Sequence, residues 1–338
     1  MRRADDGESE ASLRRESIVS HRIASFLALV LSFSLALPVP ARNLPHRPVA
    51  APATLPLTVA ADDGQPLALW ARVPARPRGA ILLVHGRTWS SRPNFDLQVP
   101  GEPADSRSVL AALAKAGYAA YALDLRGYGA TPRDASGWDT PERAAADVVE
   151  ALRWIGRRHP PLPLPALLGY SNGARVALLV AQEPSAPVSA VVLYGFPNDV
   201  DAPEPPQTVP AEPARQCTTA EAAASDFVTA GASTPAVRDA YVAQALAADP
   251  VRSDWRGAEQ VRFEPEHVRV PVLLMRGVND PLATQDESAH LYLRLGTGDK
   301  TWVTLPASDH VAHVEDSHAA WVRAVVDFLG RPRVPAKP

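Results

Sequence analysis

Residues 166–182 have the sequence ALLGYSNGARVALLVAQ, in which a glycine stands two positions before and two positions after Ser171. The apolar run 166–169 predicts a buried strand, and the pattern over 172–182 predicts a helix. A G-x-S-x-G sequence between a strand and a helix is typical of a sharp turn whose strained backbone exposes the serine hydroxyl. The turn also directs the N–H of Asn172, at the start of the helix, toward negative charge that develops near this hydroxyl.

Strand-like and helix-like segments alternate along the chain from Leu57 onward. Residues 57–60 and 67–73 flank a DDGQ turn and predict a hairpin. Apolar runs predict buried strands at 80–84, 119–123, 166–169, 190–194, 270–275 and 301–305. Helical patterns cover 105–116, 140–157, 172–182, 284–295 and 317–329. The alternation predicts an α/β fold with a mostly parallel central sheet that is flanked by helices on both faces.

One stretch, residues 199–264, breaks this alternation. It begins with a proline-rich lead and continues as alanine-rich helical sequence from 219 to 248. Because it contains no evident strand of the central sheet, we expect an inserted helical lid between two strands. The core then consists of residues 57–198 and 265–331.

The amino terminus is similar in layout to a secretory signal peptide. Residues 1–22 are polar and contain several arginines, 23–39 are apolar except for serines, and small residues at 39 and 41 offer a cleavage site. We therefore expect 1–41 to be a signal peptide, or else an uncleaved membrane anchor, and the protein to be exported to the periplasm or the medium. Contact with a membrane is expected only through such an anchor. A Pro- and Ala-rich linker follows at 42–56.

The composition argues against several classes of function. The chain has 338 residues, 34 basic and 37 acidic side chains and a formal net charge of −3, so no cationic surplus points to a nucleic-acid partner. Its lone cysteine, Cys217, excludes an internal disulfide and a multi-cysteine metal site. We expect a small molecule as the partner, and neither a cofactor nor a metal.

A serine hydroxyl is a weak nucleophile at neutral pH and needs a general base, which a carboxylate orients. Asp280 follows the predicted strand 270–275, and His310 follows the predicted strand 301–305. Because the carboxyl ends of parallel strands lie at one edge of a sheet, we expect both side chains to meet Ser171 there.

Three residues compete for these two roles. His313 and His318 are rivals of His310, and we expect them to face the following helix or solvent. Asp199, which follows the predicted strand 190–194, is a rival acid. Asp309 is expected to be a solvated loop carboxylate, because it points away when His310 points in.

Several features in chain order resemble the α/β-hydrolase family. They are Val84-His85-Gly86 after an early strand, Asp124-Leu125-Arg126-Gly127-Tyr128-Gly129 after the next, the serine turn, and the loops of Asp280 and His310. The resemblance covers residues 57–330 and implies a Ser–His–Asp hydrolase with a helical lid over its site. We expect structural roles for His85, which would hold the oxyanion loop, and for Asp124 and Arg126, which would brace a turn.

The resemblance further implies an oxyanion hole made by the N–H groups of Asn172 and Arg87. Thr88 is an alternative to Arg87, because this loop has a single glycine rather than a run of them. The Arg87 side chain either is solvated or paired, or binds an anionic group of a substrate. We expect Tyr170 and Trp89 to contact the substrate, although aromatic side chains also fill cores.

The predicted function is hydrolysis of a small-molecule carboxylic ester through an acyl-enzyme on Ser171, because esters are the least demanding substrates for this machinery. Amide or peptide, thioester and carbon–carbon bond hydrolysis are alternatives, since the same triad serves them. A non-catalytic binding protein on the same scaffold is the alternative from another class.

Overall fold

The computed structural model describes residues 51–202, 210–257 and 262–332. The predicted signal peptide or anchor, 1–41, lies outside these ranges. The predicted linker is described from residue 51, and its last two residues already belong to the first strand. Within the described ranges, no helix is both long and apolar enough to cross a lipid bilayer.

Ten strands and eight helices occur in the described residues. The strands are β1 (Leu55–Ala60), β2 (Pro66–Arg72), β3 (Gly79–Val84), β4 (Tyr118–Leu123), β5 (Trp138–Asp139), β6 (Ala166–Tyr170), β7 (Val191–Tyr194), β8 (Asp254–Trp255), β9 (Val272–Gly277) and β10 (Lys300–Leu305). The helices are α1 (Ser91–Phe95), α2 (Val109–Lys115), α3 (Pro141–Arg158), α4 (Asn172–Gln182), α5 (Ala220–Ala224), α6 (Pro235–Ala248), α7 (Gln285–Arg294) and α8 (His318–Gly330).

Eight strands form one central sheet in the order β1-β2-β4-β3-β6-β7-β9-β10. β2 is antiparallel to β1 and β4, as the predicted hairpin requires, and the neighbouring pairs from β4 to β10 are parallel. The mostly parallel sheet of the sequence prediction is therefore confirmed. Its order places the carboxyl ends of β6, β7, β9 and β10 side by side.

Both faces of the sheet are buried, which explains why its central strands are apolar throughout. Successive side chains of β3 point to opposite faces, so that Leu82 and Val84 pack in one core cluster and Ile81 and Leu83 in the other. The first cluster includes the apolar sides of α3 and α4, and the second includes those of α2 and α8. This two-sided cover is the flanking by helices that the alternation predicts.

The chain between β7 and β9 contains α5, α6 and β8, and we call it the insert. The sequence predicts helical structure over 219–248, and the structure has two helices there, since α5 ends at Ala224 and α6 begins at Pro235. The break has a local cause, because Thr234 accepts a hydrogen bond from the Val237 N–H and Pro235 occupies the first turn of α6. Gly231, within the break, has a φ of +79°.

Three short elements, α1, β5 and β8, were not predicted from the sequence. β8 pairs in parallel with β5 in a separate two-stranded sheet, which ties the insert to the segment before α3. A strand of two residues is too short to show the alternation of apolar and polar residues that predicts a strand.

The helix predicted from residue 105 begins only at Val109, because the Ser108 hydroxyl accepts a hydrogen bond from the Ala111 N–H (3.0 Å) and caps the helix there.

Candidate active site

Ser171 lies at the turn between β6 and α4 in a strained backbone conformation, with φ +53° and ψ −120°. Its N–H donates to the carbonyl of Tyr194 (2.8 Å), which fixes the turn on the neighbouring strand. A Cβ on Gly169 would overlap with the Gly173 carbonyl, and a Cβ on Gly173 would overlap with the Val84 carbonyl. Both glycines are therefore required by close backbone approach, as the sequence predicts.

The loop after β3 packs directly against this turn. A Cβ placed on Gly86 would lie 3.0 Å from the Ser171 Cβ. The next residues of the loop are Arg87 and Thr88, and Thr88 has a φ of +84°. Asn172 is buried at the first position of α4, where its N–H has no partner within the helix. The oxyanion hole formed by the N–H groups of Asn172 and of Arg87 or Thr88 stays a prediction.

His85 holds the loop after β3 through both ring nitrogens. Its Nε2 accepts a hydrogen bond from the Leu125 N–H (3.1 Å), so its Nδ1 carries the proton and donates to the Gly86 carbonyl (2.7 Å). Burial lowers the pKa of His85. The side chain is thus a neutral support, as expected from its place in the sequence.

His310 and Asp280 meet at the carboxyl ends of β10 and β9. The Nδ1 of His310 lies 2.9 Å and 3.0 Å from the two carboxylate oxygens of Asp280. The Asp280 Oδ1 also accepts hydrogen bonds from the N–H groups of Leu282 (2.9 Å) and Ala283 (3.0 Å), which fix the carboxylate. Among the described residues, the buried His310 Nε2 has no hydrogen-bond partner. This nitrogen is available to accept a proton.

Tyr170 and Tyr194 connect the serine turn to His310. The ring of Tyr170, next to Ser171, lies 5.0 Å from the His310 ring between centroids. The Tyr194 hydroxyl donates to the His310 carbonyl (2.6 Å), while the Tyr194 carbonyl accepts from Ser171. A Cβ on Gly195 would approach the His310 ring to 3.0 Å, so glycine leaves room for the imidazole.

The rival acid Asp199 is engaged elsewhere. It accepts a hydrogen bond from His290 Nδ1 (2.9 Å), and with Asp201 these side chains form the one group in the described residues that has the spacing of metal ligands. Arg294 already pairs with Asp201 at 2.6 Å. The structure therefore brings Asp280, and not Asp199, to His310.

The rival bases are both buried. His313 is fully buried between aromatic rings, including Tyr170 at 4.6 Å and Trp321 of α8 at 6.1 Å between centroids. Burial, with the charge of His310, places the pKa of His313 well below its ordinary value, so the ring is neutral. His318 Nδ1 donates to the His313 carbonyl (2.6 Å). His313 faces the core and α8, His318 is the first residue of α8, and neither side chain faces solvent.

The expectation that Asp309 is solvated is wrong. Its side chain is fully buried, and its Oδ2 accepts hydrogen bonds from the N–H groups of Val228 (2.9 Å) and Thr229 (2.7 Å) in the insert. The insert covers this carboxylate, which a reading of the loop sequence alone could not show.

Asp124 and Arg126 are structural, but they have different partners. Asp124 accepts hydrogen bonds from the Trp70 indole (2.8 Å) and from the N–H groups of Ser91 (2.9 Å) and Ala130 (3.0 Å). Arg126 forms ion pairs with three carboxylates, those of Asp63, Asp134 and Asp147.

The predicted substrate contacts differ in accessibility. Tyr170 and Trp89 are 3% and 2% exposed, so each presents little surface. The Arg87 side chain is exposed, and it has no ion pair with any residue in the described part of the chain. Partial desolvation and the nearby Arg252 and Arg175 lower the pKa of Arg87. The two aromatic residues remain predicted contacts.

Asp226 of the insert was missed by the sequence reasoning. Burial raises the pKa of its carboxyl to about 6, the charge of His310 opposes this rise, and Asp309 and Asp280 add to it. Burial raises the pKa of Tyr170, and the charge of Asp226 adds to this rise. The Asp226 carboxyl is therefore coupled electrostatically to the His310–Asp280 pair, and no pattern in the alanine-rich insert signals it.

We expect the buried Glu315 to make the stability of the folded protein depend on pH. It is buried, and its Oε2 accepts a hydrogen bond from the Asp309 N–H (3.1 Å). Burial, together with Asp309, raises the pKa of Glu315 from 4.5 to about 8. The folded protein therefore keeps a proton that the unfolded chain releases, and its stabilising contribution is full below pH 4.5 and is lost as the pH rises through about 8.

We expect the free energy of unfolding to fall between about pH 5 and pH 8 by at most about 4 kcal/mol on account of Glu315. E315Q should flatten this slope, because the amide does not titrate. Urea denaturation across the pH range measures the effect, with the exposed Glu183→Gln as the matched control. The same slope in E315Q and in the wild type would contradict the assignment.

Comparisons with known proteins agree with this fold. The family described as "Serine aminopeptidase, S33" matches residues 75–317. No curated protein matches the chain significantly. Solved structures share the fold at low sequence identity. A Thermogutta terrifontis esterase is 18% identical with a TM-score of 0.59, and a Pseudomonas aeruginosa hydrolase is 20% identical with a TM-score of 0.58. In both cases, 82% of this chain aligns with 98% of the other.

Proposed function

The chain belongs to the serine aminopeptidase S33 family of α/β-hydrolases, and from this premise we propose that it hydrolyses a small-molecule carboxylic ester through an acyl-enzyme on Ser171. One observation carries the proposal. The buried His310 is bonded through Nδ1 to Asp280, and its Nε2 has no partner in the described residues, at the sheet edge where the strained turn presents Ser171.

In the proposed acylation, the Ser171 Oγ attacks the ester carbonyl and His310 Nε2 takes the hydroxyl proton. Asp280 holds the tautomer with the proton on Nδ1 and stabilises the imidazolium. The N–H groups of Asn172 and Arg87 stabilise the oxyanion. The intermediate collapses, the carbon–oxygen bond to the alcohol breaks, and the His310 proton passes to the departing alkoxide.

In the proposed deacylation, a water molecule attacks the acyl-enzyme and gives its proton to His310. Collapse of the second intermediate breaks the bond to Ser171, releases the carboxylic acid and returns the proton to the Ser171 oxygen. Burial of His310 excludes bulk water from the proton transfers, and no co-reactant other than water is consumed.

Asp280→Asn should lower kcat by on the order of 10⁴, because the amide cannot stabilise the imidazolium and favours the wrong imidazole tautomer. Asp199→Asn is the matched control, since it removes the same charge from a carboxylate that contacts His290 instead. Steady-state hydrolysis of a p-nitrophenyl ester compares the two variants. A larger loss in D199N than in D280N would show that Asp199, and not Asp280, is the acid that orients His310.

A second candidate is hydrolysis of an amide next to a protonated amine, the activity that the family description names. Asp226 favours it, because a carboxylate that interacts electrostatically with His310 offers a partner for a substrate ammonium group. The amine would bind more tightly above about pH 6, where Asp226 is ionised.

One panel separates the candidates. Purified protein is assayed with p-nitrophenyl esters of graded chain length, a thioester, and aminoacyl and N-acetylated aminoacyl p-nitroanilides. Ester hydrolysis well above anilide hydrolysis supports the first proposal. Preference for the free-amine anilide, lost in D226N, supports the second, and no turnover by folded protein would favour a non-catalytic binding protein.

We also propose that the protein is exported, on the basis of the basic start, apolar centre and small-residue exit of residues 1–41. The mass of the mature amino terminus from fractionated cells tests this. A terminus at residue 42 in the periplasm or the medium supports cleavage and export, and an intact terminus in the membrane fraction supports an anchor.

A further inference from the structure

The segment of the insert that follows α5 is bonded to the loop that carries His310. Two consecutive N–H groups, those of Val228 and Thr229, converge on the Asp309 Oδ2 at 2.9 Å and 2.7 Å. The other oxygen of this carboxylate accepts from the Val311 N–H at 3.1 Å. One buried carboxylate therefore binds the insert through one oxygen and, through the other, the backbone N–H of the residue that follows His310.

Further bonds complete this junction. The Asn279 side-chain amide, next to Asp280, donates to the Thr229 hydroxyl (3.3 Å), and the Asp316 N–H donates to the Ala232 carbonyl (2.9 Å). Asp309 itself lies against β9, because a Cβ on Gly277 would overlap with its carbonyl. The insert is thus attached to the loops of both the histidine and its carboxylate partner.

Asp226 stands two residues before the bonded pair of N–H groups. Its carboxyl interacts electrostatically with His310, Asp280 and Asp309. Because Asp226 is two residues from these N–H groups, its placement relative to His310 depends on how residues 226–229 are held. The described contacts of that segment with the histidine loop run mainly through Asp309.

We propose that Asp309 is a positioning residue, whose buried carboxylate joins the insert to the loop of His310 so that the insert, with Asp226, and the imidazole are held as one unit. The inference rests on the proposed function, because it concerns the same site. Three backbone N–H donors face this side chain, so both oxygens must accept. An asparagine offers only one accepting oxygen and turns an NH₂ group toward an N–H.

The test is a double-mutant cycle between Asp309 and Asp226, read as the rate of labelling of Ser171 by a small fluorophosphonate at about pH 8. The negative charge of Asp226 favours the imidazolium that forms as Ser171 is attacked, so D226N should slow labelling by roughly fivefold. In the D309N background the same change should slow it by less than about twofold, because the insert no longer holds Asp226 beside His310.

A merely structural role would give a different result. D309N would then lower stability and the overall rate, but the factor caused by D226N would be the same in both backgrounds, and that outcome overturns the proposal. Labelling of D309N at the wild-type rate would also overturn it. Asp316→Asn is the matched control, since its exposed carboxylate is close in sequence and bonds only Arg107 among the described side chains.

Should D309N not fold, Thr229→Pro gives the same comparison, because proline removes one of the two insert donors and leaves the carboxylate unchanged. An unchanged D226N factor in that background counts against the proposal as well. Wild-type protein that is folded but not labelled at Ser171 would instead contradict the proposed function, so the two failures are distinguishable.

Discussion

Replacing Ser171 with alanine is expected to lower kcat for ester hydrolysis by on the order of 10⁶, with the fold unchanged. The proposed mechanism uses this hydroxyl as the attacking group, and no other serine in the described ranges has a positive φ. Alanine keeps the Cβ, so the backbone strain and the contact with Gly86 are the same. Steady-state kinetics, with circular dichroism as the check on folding, measures the loss.

Ser225→Ala is the control for this prediction. Ser225 is an exposed serine at the end of α5, and its hydroxyl donates to the Ala222 carbonyl (2.8 Å). It should retain activity within about twofold, because surface substitutions of this kind are nearly neutral. Activity of S171A within tenfold of the wild type would remove Ser171 from the mechanism.

His310→Ala should cause a loss of similar size, on the order of 10⁶ in kcat, because the serine then has no base. The same variant should not react with a fluorophosphonate probe. Its control is His313→Leu, which replaces a neutral ring in an apolar environment by an apolar side chain. H313L should still be labelled, although the poorer packing lowers its stability by about 1–3 kcal/mol. Labelling of H310A but not of H313L would show that His313 is the base.

The sequence predicts those parts of the site that depend on local pattern. The turn at Ser171 follows from two glycines between a strand and a helix, and the parallel strands lead Asp280 and His310 to the same edge. Asp280 and its rival Asp199 each follow a predicted strand, and the structure brings Asp280 to His310.

The parts that could not be predicted depend on contacts between distant segments. The sequence predicts a solvated Asp309, whereas in the structure the insert covers it. No pattern in the alanine-rich stretch indicates that Asp226 interacts with the site. The break between α5 and α6 follows from the cap at Thr234 and its proline, yet helical composition on both sides obscures it. In each case, tertiary packing and not local preference decides the outcome.

The central claim is that His310 activates Ser171 as a nucleophile. The most direct test is peptide mass mapping of folded protein after reaction with a fluorophosphonate. Cleavage after Arg158 and Arg175 gives the peptide 159–175, which contains Ser171. The account predicts one adduct on this serine in the wild type and none in H310A. An adduct on another residue, or equal labelling of Ser171 in H310A, would contradict it.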